Sequence, residues 1–401
     1  MFARSRGSAM VSSEIFIDQP SETTSLSNLI RSALARVWSD GVSDEISGAE
    51  LAVIAPALLS TEVGPLGWWR IRNSSLRSLP IASELKQAYR YNALQSAIRE
   101  RDILEAFRVF RSAGIEPVLI KGWAIARLYP DQALRPYSDV DLCIHPDQYA
   151  AAQEVLKTPE ARGLAVDLHN GLERYHYLSF DDILKSSQLV PLGNTQVRVL
   201  SPEDHLRVLA LHMLHHGAWR PLWLCDIAVA VETRPSDFDW DRCLGGDTRS
   251  ADWIKCAIGL AHHLLGARVN DTPATRRATR LPGWLVRQVL RQWDAPIGNA
   301  RGTLKHTAPM ITYLRNPVSL LRELRTRWPD PIEATISVGA SFNGLPRWPF
   351  QFANGLQRLA RFVKQLPGTP ADGRSDLTQD SPSRSREQVQ STDWALVEGP
   401  E

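Results

Sequence analysis

The hydrophobic period of the chain changes at Gly114, and this change limits the possible folds more than any other sequence feature. From Ala82 to Ser112 the chain lacks Gly and Pro, and its apolar residues recur at helical spacing. This pattern predicts one long helix that ends near Gly114. Beyond it, residues 116–120 form a short apolar run, and residues 139–145 alternate apolar side chains with Asp, Cys and His. Both patterns are typical of strands.

Further strands and helices are predicted on both sides of these two strands. Residues 164–169 and 195–200 have strand character, and residues 146–156 have helical character. Four strands with interleaved helices indicate an α/β or α+β unit. The remaining predicted helices span residues 25–38, 123–129, 201–216, 222–232, 250–265, 283–293, 319–326 and 352–365.

Composition and patterning divide the 401 residues into five predicted regions. The two ends are poor in periodic apolar residues, so we predict disorder over residues 1–22 and in a C-terminal tail over residues 367–401. Between them we predict an N-terminal helical region over 23–113, a catalytic core over 114–200 and a helical domain over 201–366. With 43% hydrophobic residues the chain has the composition of a folded protein.

The net charge excludes few classes of protein, but the charge is unevenly distributed along the chain. The chain has 46 Lys and Arg against 44 Asp and Glu, so its net charge does not by itself indicate a nucleic-acid or membrane-surface protein. Residues 276–364 are strongly basic and include several of the 13 Trp residues. These rings can stack nucleobases, but they are more often core or partner surface, so nucleic acid is not the favoured partner.

Cysteine usage and hydropathy predict a cytoplasmic protein. The four cysteines show no CxxC spacing, which favours reduced thiols over a disulfide framework or a zinc ribbon. No apolar run has the length of a membrane span. The N-terminus lacks the apolar block of a secretory signal.

The strongest candidate for chemistry is the pair Asp139 and Asp141. Side chains two apart in a strand point the same way, so these carboxylates can share divalent ions, although an exposed strand end with two solvated Asp is the simpler alternative. Lys121 and Gly122 lie between a predicted strand and helix, where a Lys and backbone N–H groups can hold a phosphate. Asp167, in a later strand, can supply a third carboxylate. Together these features are what two-metal phosphoryl or nucleotidyl transfer requires.

Arg135 and His169 each have two interpretations. Arg135 can bind a nucleotide phosphate across the loop, or it can anchor the turn by pairing with Asp139. His169 shares the face of Asp167 and can touch substrate, or it can be a structural histidine.

His212 and Asp226 lie in predicted helices and are further candidates for substrate contact. His212 and His216 are four residues apart, as in a metal pair, but without an HExxH arrangement we favour packing of the helical domain against the catalytic core. Asp226 interrupts an apolar helix and must be paired or solvated in a cleft. It is therefore a candidate for contact with substrate or base.

The order and spacing of these motifs resemble the uncharacterised bacterial nucleotidyltransferase family of the DNA-polymerase-beta-like superfamily. The resemblance covers roughly residues 85–265 and is carried by residues 115–122, 128–130, 134–142, 166–169, 200–204 and 223–228 and by the helix that bears His212. It implies an α+β fold: a polymerase-beta-like mixed sheet with flanking helices, followed by a mainly helical C-terminal region.

The resemblance also implies roles for individual residues. Asp139 and Asp141 would bind the metals, and Asp167 would complete the triad as a metal ligand and possible general base. Lys121 and Gly122 would contact the nucleotide phosphates, in place of the Gly-Ser pair of the wider superfamily.

The implied activity is transfer of a nucleoside monophosphate from a nucleoside triphosphate, such as ATP, by a two-metal mechanism with Mg²⁺ or Mn²⁺. The acceptor would be a small molecule, a peptide or a protein. Two alternatives stay open: a catalytically inactive relative that acts as a binding or scaffold protein, and an antitoxin-like transferase that modifies a protein.

Overall fold

A computed structural model describes residues 25–39, 46–175, 177–294 and 328–364. The predicted disordered ends and the predicted helix over residues 319–326 lie outside these residues. Contacts divide the chain into a first unit, Met1–Arg358, and a second, Leu359–Glu401, of which 359–364 are described.

Four helices precede the sheet: α1 (Leu26–Leu34), α2 (Gly48–Ser60), α3 (Gly64–Ile71) and α4 (Pro80–Ser112). The hydroxyl of Ser25 accepts the Asn28 N–H and begins α1, as N-cap residues do. The long helix α4 confirms the prediction over residues 82–112. Gly114, at φ +73°, follows its end in a conformation that glycine adopts without strain.

Five strands form one mixed sheet: β1 (Val118–Leu119), β2 (Val140–Ile144), β3 (Val166–Asn170), β4 (Gln188–Leu192) and β5 (Thr195–Val199). Their order is β3-β2-β1-β5-β4. The pairs β2–β3 and β1–β5 are parallel, whereas β1–β2 and β4–β5 are antiparallel. The predicted α+β fold is confirmed, with β4 as a fifth strand that the sequence pattern did not predict.

Three short helices connect these strands: α5 (Trp123–Ala126), α6 (Tyr149–Val155) and α7 (Phe180–Ser186). Alternation along β2 divides its side chains between two faces. Leu142 packs with Phe107 of α4 and Ala152 of α6. Cys143 packs on the opposite face with Ile183 of α7 and with a helix that follows the sheet.

Eight more described helices follow the sheet: α8 (Pro202–His215), α9 (Pro221–Glu232), α10 (Trp240–Leu244), α11 (Thr248–Leu265), α12 (Thr275–Ala278), α13 (Gly283–Trp293), α14 (Pro331–Ser337) and α15 (Trp348–Lys364). One apolar core joins this group to the helices before the sheet, and it includes Leu58 of α2, Leu214 of α8 and Leu260 of α11. Among the described helices, none has the length and apolar character needed to cross a membrane.

Candidate functional site

The parallel pairing of β2 with β3 positions the acidic residues of the site. Asp141 lies opposite Asp167, and Cys143 lies opposite His169. Because side chains alternate along a strand, Asp167 and His169 share one face, the face of Asp141. This is the face of the sheet on which α7 and α8 pack.

Four predicted residues meet around one carboxylate. Asp141 Oδ1 lies 2.7 Å from Lys121 Nζ and 3.0 Å from His169 Nε2. His169 Nε2 also lies 3.5 Å from Asp167 Oδ2. The structure therefore brings Lys121, Asp141, Asp167 and His169 together from β2, β3 and the segment after β1.

Burial and charge set the protonation of this group. Burial alone would raise the pKa of Asp141, but the Lys121 ammonium and the His169 hydrogen bond hold it far below its usual range. Burial disfavours the charge on Lys121, yet Asp141 raises its pKa. The pKa of Asp139, half-buried directly before β2, is raised by burial and by the negative charges of Asp141 and Asp167. Both effects disfavour the charged form of the Asp139 carboxyl group.

The turn after β1 requires glycine. Gly122 has φ +56° and ψ −117°, and a Cβ atom there would lie 3.4 Å from the Tyr137 ring and 3.5 Å from the Asp139 carbonyl oxygen. The helix that follows, α5, has four residues. Its first hydrogen bond runs from the Ala124 N–H to the Lys121 carbonyl, so helical bonding does not use the N–H groups of Gly122 and Trp123.

Arg135 and Asp226 form a buried ion pair with each other. The guanidinium Nη2 of Arg135 lies 2.9 Å from Asp226 Oδ2, and the Tyr129 hydroxyl donates to Asp226 Oδ1 at 2.8 Å. The Asp226 side chain is fully buried. Arg135 therefore pairs with Asp226 and not with Asp139. A contact of Arg135 with a nucleotide phosphate stays a prediction.

His212 lies among other rings on α8 and α9. Its ring centroid is 4.5 Å from that of His216 and 5.2 Å from that of Trp223. Burial and the positive charges of Lys121 and His216 hold its pKa far below the usual value, so the imidazole is neutral. Contact of His212 with substrate stays a prediction.

Sequence reasoning missed two residues near this group. His205 on α8 is buried, makes a hydrogen bond with the Ile120 backbone and lies near the guanidinium groups of Arg127 and Arg135. The sequence could have indicated His205, because this residue precedes His212 by two helical turns and so lies on the same side of α8. Tyr175, whose ring lies 6.1 Å from that of His212, comes from a loop without periodicity and gave no signal.

A groove elsewhere on the chain contains none of the predicted residues. It has a volume of 940 Å³ and is lined by α4 and by the segments before β3 and between β4 and β5. Two of its arginines are paired with acids of the same helix, Arg101 with Asp102 and Arg108 with Glu105. A third arginine of the groove, Arg111, pairs with Glu116.

The residues present fit a divalent cation. Ligand atoms of Asp141, Asp167 and His169 lie within 4.8 Å of one another. Neighbouring ligands of an octahedral ion at ~2.1 Å are about 3 Å apart, and the distances from His169 Nε2 to Asp141 Oδ1 and Asp167 Oδ2 are 3.0 and 3.5 Å. Asp139 is not part of this three-residue group, and its metal role stays a prediction.

Comparison with known proteins adds one match. A family model described as "uncharacterised nucleotidyltransferase" matches residues 59–266, about half of the chain. No curated protein and no solved structure matches this chain.

Proposed function

Since the chain belongs to the uncharacterised nucleotidyltransferase family, we propose that it moves a nucleoside monophosphate from a nucleoside triphosphate to an acceptor in a metal-dependent reaction. The observation that supports this proposal most directly is the group formed by Asp141, Asp167 and His169 beside Lys121. It combines oxygen ligands for a hard cation with a cation for a phosphate.

The metal would be held by Asp141 and Asp167, with His169 as a nitrogen ligand and Asp139 as a further carboxylate. Burial and the negative charges of Asp141 and Asp167 raise the pKa of Asp139, so a divalent ion beside these carboxylates would stabilise its charged form. When bound, Mg²⁺ or Mn²⁺ would activate the attacking oxygen and stabilise the leaving pyrophosphate.

Lys121 and Gly122 would hold the triphosphate. In the structure Lys121 Nζ lies 2.7 Å from Asp141 Oδ1, so the positive charge of the ammonium compensates the negative charge of this buried carboxylate. We propose that this ammonium moves to the phosphates when nucleotide and metal arrive. Because Gly122 has no Cβ atom, a phosphate can come close to the backbone at the same turn.

Asp167 is the carboxylate best placed to accept the acceptor's proton. Its side chain is 42% exposed, against 8% for Asp141, so an acceptor hydroxyl can reach it. The acceptor itself would be a small molecule, a peptide or a protein. Nucleic acid is not the favoured acceptor. The four cysteines are buried and free, which fits the predicted cytoplasmic location.

The test follows the label from nucleoside triphosphates carrying ³²P at the α or the γ position. The protein is incubated with each labelled nucleoside triphosphate in the presence of Mg²⁺ or Mn²⁺. The small-molecule, peptide and protein fractions of a cell extract are added separately as possible acceptors. We expect label from the α position, with release of pyrophosphate, in one of these fractions. Transfer to protein would identify the protein-modifying alternative. Transfer from the γ position would show a kinase and contradict the proposal, and transfer from neither would favour the inactive binding protein.

A further inference from the structure

Five rings form a series of contacts that begins beside the metal group, at Tyr175 and His212, and they have no part in the chemistry proposed above. We call them the ring cluster: Tyr175, His212, His216, Trp219 and Trp223. Their contacts are edge-to-face or tilted, with centroid separations of 6.1 Å for Tyr175–His212, 5.2 Å for His212–Trp223 and 5.4 Å for Trp219–Trp223.

Helix α8 places this cluster next to Lys121. His205, Val208 and His212 are three and four residues apart and so lie on one side of the helix. Val208 packs with Ile120 and Cys143, on the face of β2 that also bears Asp141. His212 is one turn further along the same side. The electrostatic effect of Lys121 on His212 agrees with this position.

The cluster lies at the edge of the apolar core, against which Tyr175 and Trp223 pack, and is partly accessible to solvent. His216 is exposed, and Tyr175, His212, Trp219 and Trp223 are half-buried. On the metal side, Asp167 is also accessible. By contrast, the aromatic residues Phe107 and Phe110 of the α4 core are 1% and 0% exposed.

One buried nitrogen of the cluster lacks a hydrogen bond within the described part of the chain. His212 Nδ1 is buried, and among the described residues it has no partner. A buried polar atom without a partner is costly, and native structures usually explain one by a ligand, a water or a functional role. A neutral imidazole offers one donor and one acceptor, which matches the edge of a heterocyclic base.

We propose that the ring cluster is the nucleobase site of the donor nucleotide. The base would lie against Trp223 and Tyr175, and the His212 ring would turn to expose Nδ1 and bind the edge of the base, while Lys121 holds the phosphates. This inference depends on the proposed function, because it assumes that a nucleoside triphosphate binds at Lys121. Aromatic rings bind any base by stacking, so base selectivity would come from His212.

The experiment measures the contribution of the base to affinity separately from that of the phosphates. Affinities of ATP, GTP, CTP and UTP, and of inorganic tripolyphosphate, are measured with Mg²⁺ and with Mn²⁺. The proteins are the wild type, Trp223→Leu, His212→Phe and a control, Trp348→Leu, whose residue is 68% exposed on α15. His212→Phe keeps a ring and removes the unpaired nitrogen, so a purely structural role predicts unchanged or higher thermal stability.

We expect the wild type to bind one nucleotide more tightly than tripolyphosphate. Trp223→Leu should weaken that nucleotide about 10-fold or more and leave tripolyphosphate unchanged. His212→Phe should reduce the preference among bases, and Trp348→Leu should change nothing. Equal losses for nucleotide and tripolyphosphate, or no loss in either variant, would overturn the base site while the proposed function stands. A wild type that binds neither ligand with either metal would overturn both.

Discussion

Single side chains decide the chemistry of the group around Asp141. Its carboxylate contacts the Lys121 ammonium and the His169 imidazole, and we expect both contacts to change when a metal ion binds. The ligand set then contains an imidazole, which suits transition metals better than Mg²⁺. This residue-scale feature leads to the first prediction.

His169 is expected to be a direct ligand of Mn²⁺. Electron spin-echo spectroscopy of the Mn²⁺-loaded wild type should show nitrogen modulation from one imidazole, and His169→Gln should abolish it. Mn²⁺ affinity should fall about 10-fold or more in this variant, with a smaller effect on Mg²⁺. Nitrogen modulation that persists in His169→Gln would show that another group binds the ion.

His205 makes stability depend on pH. Burial and the nearby charges of Arg127 and Arg135 lower its pKa to about 3. An unfolded histidine titrates near 6.5, so between these values the unfolded chain binds more protons. The stabilisation is complete above pH 6.5 and is lost as pH falls toward 3, by up to about 1.4 kcal/mol per pH unit.

The check is His205→Asn, which keeps an N–H for the Ile120 backbone and cannot titrate. Melting temperatures at pH 7.5 and 5.5 should differ less in this variant than in the wild type. Equal pH dependence in both proteins would contradict the assignment.

At the scale of elements, the turn between β1 and α5 controls where Lys121 lies. Gly122→Ala should cost about 1–3 kcal/mol, because φ +56° disfavours a side chain. Urea unfolding should show this loss, and metal-dependent nucleotide binding should weaken. In the control Gly355→Ala, within α15, a Cβ meets nothing within 4 Å, so stability should be unchanged or slightly higher. A Gly122→Ala protein with wild-type stability and binding would contradict the role of the turn.

Elements with a clear period were predictable, and the others were not. Helices α4 and α8 and strand β2 follow their sequence patterns, although β2 is buried on both faces and α8 on most sides. Strand β4 was missed because it is an edge strand with mostly exposed residues and contains Pro191. Helix α2 was missed because it is apolar on most sides and contains Pro56, which blurs the helical period.

The site was predictable to a similar degree. The spacing of Asp139 and Asp141 predicted two carboxylates on one strand face, and the position of Lys121 predicted its place in a turn. Metal binding by Asp139 and Asp141 stays a prediction. The partners were not predictable, because tertiary contacts decide them. Arg135 and Asp226 are 91 residues apart in sequence, and no local pattern relates them.

At the scale of the whole described structure, the Arg135–Asp226 pair connects the loop before β2 to helix α9. Asp226→Asn should lower the free energy of unfolding by about 3–5 kcal/mol, because it leaves a buried guanidinium without its counter-charge. Replacing both residues, Arg135→Met with Asp226→Leu, should cost less than Asp226→Asn alone.

Urea unfolding of these proteins measures both losses. Asp147→Asn, at a side chain 90% exposed, is the matched control and should have no effect. If the free energy of unfolding of Asp226→Asn lies within about 1 kcal/mol of the wild-type value, the pair does not hold the two regions together.

The most direct measurement of the central claim is nucleotide binding by the group around Asp141. Thermal stability is followed with ATP, GTP, CTP and UTP, with and without Mg²⁺ or Mn²⁺, for the wild type, Asp141→Asn and Asp147→Asn. Binding to the folded state raises the melting temperature. We predict metal-dependent stabilisation by at least one nucleotide in the wild type and in Asp147→Asn, and its loss in Asp141→Asn. Equal stabilisation in all three proteins, or none in the wild type, would contradict the proposed nucleotidyltransferase site.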